Sequence, residues 1–340
     1  MLSLQRLEEL EPALAEQGFL GSDDAVADIY LGYRLSEELR RTSVEAPQEP
    51  CVLPALAFEV RPAGAAGGTA GSFRIGDWEP TWSPDEYAEA IEEVRRAIAR
   101  GDVYQVNLVQ HLSASFDGNP VALAAALAGF YPLAPHLEGA EWAIVSASPE
   151  LFLARRGRRV WTMPIKGTRP LGEHVEGAKD EAEHVMIVDL ERNDLSRVCE
   201  PGSVRWPELM VERELAGVTH LVSRVEGTLR ADISLAELLA ATFPGGSVTG
   251  APKRAALDQI ARLEPVGRGA SMGVLGTVRG NGDLELALTI RTFAIAEGRI
   301  HLWVGGGIVW DSDPQEEIAE SWTKARPLLA AIGAPLEAPV

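Results

Sequence analysis

Strand-like stretches in this chain come in adjacent runs, not in alternation with helices, and that order limits the possible folds more than any other feature. Residues 104–112 alternate and carry Val and Tyr, as a half-buried strand does. Residues 142–147, 150–154 and 160–165 follow as a second run, and residues 215–229 are again strand-like. A third run covers 272–279, 284–296 and 300–303. Strict strand–helix–strand alternation would build a doubly wound parallel sheet. Adjacent runs build antiparallel sheets with helices laid on them, an α+β fold with layered sheets and flanking helices. The helices are also legible. Ser83-Pro84-Asp85-Glu86 is a capping box with proline at the first helical position. Ile91, Val94 and Ile98 then recur three and four apart as far as Gly101. A long helix is expected over 177–190, short ones near 235–241 and 252–262, and a last one from about 314 to 331. The glycine-rich stretch 62–72 reads as a flexible loop. These signals divide the chain into a short N-terminal segment, 1–80, and a larger domain, 81–335.

Composition narrows the partners. The chain has 340 residues, 46% hydrophobic and 24% charged, which excludes disorder as the main state. Asp and Glu number 50 against 31 Lys and Arg, a formal charge of −19. Such a chain repels phosphate backbones and anionic lipid, so neither nucleic acid nor membrane is an expected partner. Its two cysteines, Cys51 and Cys199, form no CxxC pair and no zinc spacing. No cationic stretch followed by an apolar core opens the sequence, and the most apolar run, 121–137, is broken by Pro132 and Pro135. A cytoplasmic protein is expected.

Four features could carry chemistry. Asp180 and Glu183 share one helix face, and Glu317 and Glu320 share another, with Lys324 a turn further on. Such faces are commonly solvated, but two of them could converge on a hard cation such as Mg²⁺. Lys166 ends an apolar strand and is followed at once by Gly167. It is either a solvated edge residue or a side chain aimed into a cleft, where it becomes a nucleophile if its pKa falls. The loop from Phe243 to Lys253 has the glycine spacing of a phosphate loop at Gly245 and Gly250. However, Ala251-Pro252 stand where Lys-Ser/Thr is needed, which disfavours nucleotide binding and leaves an anion-ready loop entering a helix. Gly305-Gly306-Gly307 removes every side chain from one wall of a cleft, or marks a tight bend.

Together and in this order these segments resemble the chorismate-utilising enzymes: anthranilate, aminodeoxychorismate, isochorismate and salicylate synthases. The match is carried by Gly101–Leu108, Ser148-Pro149-Glu150, Pro164–Thr168, Ala182–Leu195, Pro244–Lys253, Thr289–Thr292 and Gly305–Val309. It runs colinearly over about 82–332. Within the family, lysine at 166 resembles the aminodeoxychorismate synthases, whereas anthranilate-forming members carry alanine. Glutamine at 105 stands where water-adding members place a lysine base, and glutamine cannot act as a base.

The resemblance implies an aminodeoxychorismate synthase component I, making 4-amino-4-deoxychorismate from chorismate and ammonia for 4-aminobenzoate and folate synthesis. Anthranilate synthase component I is the alternative, and a catalytically silent, scaffolding relative is a third reading. The implied roles are Glu150 as general acid, Lys166 as nucleophile, and Glu183 and Glu320 as Mg²⁺ ligands backed by Asp180 and Glu317. Arg291, Lys324 and the amides of Gly305, Gly306 and Gly307 would bind substrate carboxylates, with His220, Thr249 and Gln105 lining the site. Nearby cations are expected to depress the Lys166 pKa. Neither cysteine has a glutaminase setting, so ammonia is expected from a separate glutamine amidotransferase subunit.

Overall fold

The computed structural model describes residues 1–22, 24–64, 71–134, 136–170, 178–215 and 218–334. Every strand pair among them is antiparallel, and two sheets share one continuous hydrophobic core. The first sheet runs Leu2–Leu4, Leu56–Pro62, Ala25–Leu31, Val274–Arg279, Leu284–Leu288, Leu151–Arg156, Arg159–Met163, Val218–Thr228, Ile165–Pro170, with Arg205–Leu215 added on Val218–Thr228. The second runs Gly250–Ala251, Gln105–Gly118, Arg299–Ile308, Thr292–Ala296, Trp142–Ser146, His136–Glu138. Its spine is the pair Gln105–Gly118 and Arg299–Ile308, in unbroken register from Ser115 opposite Arg299 to Val106 opposite Ile308. The layered α+β architecture is the one expected. No helix among the described residues is long and apolar enough to cross a membrane.

The helices start where their caps say. Ser83 Oγ accepts from the Glu86 amide, and the Glu86 carboxylate accepts from the Ser83 amide, closing the box on helix Pro84–Ala99. Asp313 caps Pro314–Ala331 by accepting from the amides of Gln315 and Glu316. That helix buries Ile318, Trp322, Ala325 and Leu329 on one face and turns Glu320 outward.

The fold departs from the sequence reading at several points. Residues 284–296 are two strands in different sheets, Leu284–Leu288 and Thr292–Ala296. The chain crosses between sheets at Arg291, which adopts φ +50. The run 160–165 is divided at Pro164, so that Lys166 is the second residue of a new strand, Ile165–Pro170, and does not end the old one. The three glycines are no bend. They lie inside Arg299–Ile308, opposite Val109, Leu108 and Asn107. A strand also covers Arg205–Leu215, which lacks clean alternation and contains Pro207. It is held by pairing with Val218–Thr228, with two register shifts, and cross-strand pairing outweighs intrinsic propensity there. The long helix extends to Ser196, beyond the expected end at 190. Residues 65–70 of the expected flexible loop lie outside the described residues, as does Gly177.

Candidate active site

A cavity of about 650 Å³ opens where the glycine strand, the sheet crossing at Arg291 and the helices Ala178–Ser196 and Pro314–Ala331 meet. Glu150, Lys166, Glu183, His220, Arg291, Gly305, Gly306, Gly307, Glu317, Glu320 and Lys324 all line it. These residues are up to 174 positions apart in sequence, from Glu150 to Lys324 (324 − 150), and the sheets bring them to one wall.

Glu150 is 3% exposed at the entry to Leu151–Arg156. Burial raises its carboxyl above the usual carboxylate range, against the opposing pull of Lys166, a Ser247 hydrogen bond, the Ile165 amide and Arg291. A carboxyl whose proton is held more tightly by burial at a cavity wall is suited to general acid catalysis. Arg291 sits on the same side. Burial lowers its pKa and the Glu150 carboxyl raises it, and no hydrogen bond from its guanidinium is made to the described residues. It is a cation with its fork of donors still to give, as a planar carboxylate requires.

Lys166 is an ammonium held in place. Its Nζ lies 2.9 Å from Glu183 Oε1, with side chains only 12% and 13% exposed, and it donates to Ser247 O at 3.4 Å. Burial works to lower its pKa, but Glu183, then Glu150, outweigh burial and the net shift is upward. The sequence reading expected the opposite sign. It counted the cations near Lys166 but not the carboxylates that the fold brings from another helix. Glu183 is correspondingly shifted down: burial works to raise it, and Lys166 and the Gln105 hydrogen bond more than offset that.

Gln105 is fully buried and donates Nε2–H to Glu183 Oε1 at 2.6 Å. It orients Glu183 from behind and does not line the cavity. Thr249 is likewise behind the wall: fully buried, it donates Oγ1–H to Gly245 O at 2.6 Å and shapes the 245–249 turn. His220 lines the cavity with Nδ1 2.9 Å from Gly167 O. Burial lowers its pKa, the Gly167 contact raises it and Arg291 lowers it, and the net shift is downward. The Asp180 side chain lies outside the described residues.

The glycines set how close the two acidic helices come. A Cβ on Gly305 would run into Leu108 O of the paired strand. One on Gly307 would overlap Gln105 Nε2 and stand 2.5 Å from Glu183 Oε1. One on Gly306 would lie 3.3 Å from Lys324 Nζ, 3.5 Å from Glu317 Oε2 and 3.8 Å from Glu320 Oε1. Thus adjacent glycines face Glu183 and the Glu317/Glu320 pair. Lys324 bonds Glu320 at 2.8 Å and donates to Gly305 O at 2.8 Å, while Ser312 donates to Glu317 at 2.6 Å. Among the described residues no group of three His, Cys, Asp or Glu forms a ready metal cage. The donor chemistry nevertheless fits Mg²⁺, a hard cation that takes one or two carboxylates and fills its shell with water and anionic substrate.

The sequence reading gave no role to several wall residues. Phe130, Met272 and Trp303 supply apolar surface, and Asn107 and Ser247 supply polar atoms. Ser247 and Asn107 both sit in stretches whose pattern was visible, but contact with Glu150 or the cavity depends on tertiary placement.

Residues 34–330 match the family model described as chorismate binding enzyme. Anthranilate synthase component 1 of Streptomyces coelicolor is 37% identical over 327 residues, 91% of this chain and 60% of that protein. Aminodeoxychorismate synthase component 1 of Bacillus subtilis is 36% identical over 318 residues, 90% of this chain and 63% of that one. The chain therefore spans about 60% of the length of these relatives. The crystal structure of anthranilate synthase component I from Streptococcus pneumoniae superposes with a TM-score of 0.79 at 26% identity, covering 91% of this chain and 81% of the other.

Proposed function

Because the chain belongs to the chorismate-binding enzyme family, we propose that it aminates chorismate, with loss of the 4-hydroxyl group. The observation that carries this reading is Glu150, a buried carboxyl that burial shifts toward its protonated form, beside Arg291, whose guanidinium makes no hydrogen bond to the described residues. A departing hydroxide needs a proton, and Glu150 is the acid in reach of the cavity. Arg291 and Lys324 are the cations for the substrate's two carboxylates. Glu183 and Glu320, with Glu317 beside them, would hold Mg²⁺, which when bound neutralises a substrate carboxylate. Cys51 and Cys199 are both buried, their thiols pushed up to about 12 and about 11 by burial, so neither is an activated glutaminase nucleophile. Ammonia is then supplied by a separate glutamine amidotransferase subunit or from solution.

Which ring carbon keeps the nitrogen depends on Lys166. In the 4-amino reading its neutral amine attacks carbon 2, the double bonds shift and the C4–O bond breaks. The Glu150 proton leaves with the oxygen as water. Ammonia then bonds carbon 4, the Lys166–carbon 2 bond breaks, and the Glu150 carboxylate takes the surplus proton. This reading rests on the identity of residue 166, and it requires Lys166 first to give up a proton, for which Glu183 is the adjacent acceptor. A second reading, attack of ammonia directly at carbon 2 to give anthranilate and pyruvate, is favoured by the Lys166–Glu183 ion pair. An ammonium cannot attack, and in this reading it serves only as a fixed charge. The anthranilate synthases among the relatives support it as well.

Turnover of chorismate with Mg²⁺ and ammonium chloride, with the products separated by chromatography, decides between these. Anthranilate or 4-amino-4-deoxychorismate is expected, with glutamine inert until an amidotransferase is added. Chorismate left unconsumed would refute the amination reading altogether.

A further inference from the structure

Asn107 is 6% exposed, lines the cavity, and its Oδ1 is buried without a hydrogen-bond partner among the described residues. A buried amide oxygen left unpaired costs about 1–3 kcal/mol, so a fold retains one where something else supplies the donor. The local geometry makes that position specific. Asn107 pairs directly across the sheet with Gly307, and residues opposite one another in an antiparallel pair project to the same face. Gly307 has no side chain, and the room this leaves is taken by the Gln105 amide and Glu183 Oε1, neither of which bonds Asn107 Oδ1. The face is shared with Gln105, two residues earlier, whose amide reaches Glu183 and through it Lys166.

The Asn107 backbone is fixed on its other edge. Its amide donates to Thr249 O at 2.8 Å, and its carbonyl accepts from Arg268 Nη2 at 2.7 Å. Arg268 is itself 1% exposed and locked to Glu264 at 2.7 Å. The carboxamide is thus carried on a rigid mount.

One of the reactants must supply the donor. The cavity offers Lys166, Arg291 and Lys324 as donors, while Glu183 and Glu320 are committed to lysines. Chorismate carries two carboxylates and an ether oxygen, all acceptors, and one hydroxyl. That hydroxyl is met by Glu150, whose protonated carboxyl can both donate to its oxygen and accept its O–H. The only other reactant with N–H or O–H bonds to give is ammonia. We propose that Asn107 Oδ1 is the acceptor that seats the ammonia nucleophile, with the nitrogen lone pair left free to attack. This rests on the amination reading above, and holds for either ring carbon.

The test is Asn107→Leu, nearly isosteric and without an acceptor. The KM for ammonia, measured with ammonium chloride at fixed pH, is expected to rise about tenfold, the loss of one hydrogen bond. The KM for chorismate should stay within twofold. Chorismate affinity is read independently by isothermal titration calorimetry with chorismate in the absence of ammonia. It should not move in the variant. An unchanged KM for ammonia overturns the proposal. So does a change confined to chorismate, which would place the hydroxyl there instead. Should Asn107→Leu fold poorly, Asn107→Ala takes its place under the same criteria. If wild-type protein binds chorismate but uses no ammonia, the amination reading fails, not merely the seat assigned to Asn107.

Discussion

Two lysine–glutamate pairs border the cavity at almost the same distance. Lys166–Glu183 spans 2.9 Å and Lys324–Glu320 spans 2.8 Å. They differ in burial: the first pair is 12% and 13% exposed, the second 32% and 54%. In the first, water cannot screen either charge, and each group sets the other's protonation state. In the second, solvent carries most of the interaction, and the pair contributes placement more than energy. Equal geometry therefore gives unequal consequences, and the two pairs should respond differently to the same substitution.

The largest effect is expected at Glu183→Gln. The variant leaves the Lys166 ammonium buried without its ion-pair partner, with Glu150 and Glu191 still acting on it, and breaking a buried pair in this way typically destabilises by about 3–5 kcal/mol. Mg²⁺-dependent turnover should vanish as well. Urea unfolding reads the stability change, and the double variant Lys166→Met/Glu183→Gln should recover much of it. The pH dependence follows from the shifts. Glu183 is lowered from 4.5 by Lys166 against burial, so its contribution is present above 4.5 and is lost as pH falls through the depressed value. Lys166 is raised from 10.5 by Glu183 against burial, so its contribution is complete below 10.5 and disappears in stronger alkali. The pair should stabilise the fold across the neutral range. A Glu183→Gln protein as stable as wild type would show that the buried pair is no stronger than the exposed one.

Next in size is Glu150→Gln, where function and stability should part. Loss of the general acid is expected to slow turnover by about 10²–10⁴-fold. Its carboxyl is raised by burial, so the folded state favours the protonated form. Wild-type stability therefore falls relative to the variant as pH climbs above 4.5. Thermal melts at pH 4.5 and pH 8 should show the variant gaining on wild type at the higher pH. A variant that loses ground there would mean that Lys166 and Arg291 already hold Glu150 as an anion.

Legibility in the sequence divides in the same way, between local signals and tertiary placement. The helix Pro314–Ala331 was readable to its ends because Asp313, Pro314 and the spacing of Ile318, Trp322, Ala325 and Leu329 are local signals. The layered antiparallel fold was readable because strand runs are local too. The charge state of Lys166 was not, because its partner comes from a helix with no sequence mark of where it packs. Nor was the crossing at Arg291, where a stretch that reads as one strand conceals a change of sheet. Thr249 and Gln105 stood in the right segments, yet whether such a side chain enters the cavity or braces its wall depends on a strand twist that alternation alone does not specify.

The smallest effect on stability is expected at Glu320→Gln, and it sharpens the comparison most. Glu320 precedes Lys324 by four residues on one helix, a favourable orientation, but exposed pairs of this kind are worth about 0–1 kcal/mol and less in salt. Lys324 also keeps its 2.8 Å bond to Gly305 O, so removal of the carboxylate charge does not set the lysine loose. Unfolding midpoints of variant and wild type should nearly coincide. The Mg²⁺ concentration for half-maximal turnover should nevertheless rise, since a cation held by so few carboxylates feels the loss of each one. An unchanged Mg²⁺ requirement would remove Glu320 from the metal set. A destabilisation matching that of Glu183→Gln would show that solvent does not screen this pair, and burial would no longer explain why the two differ.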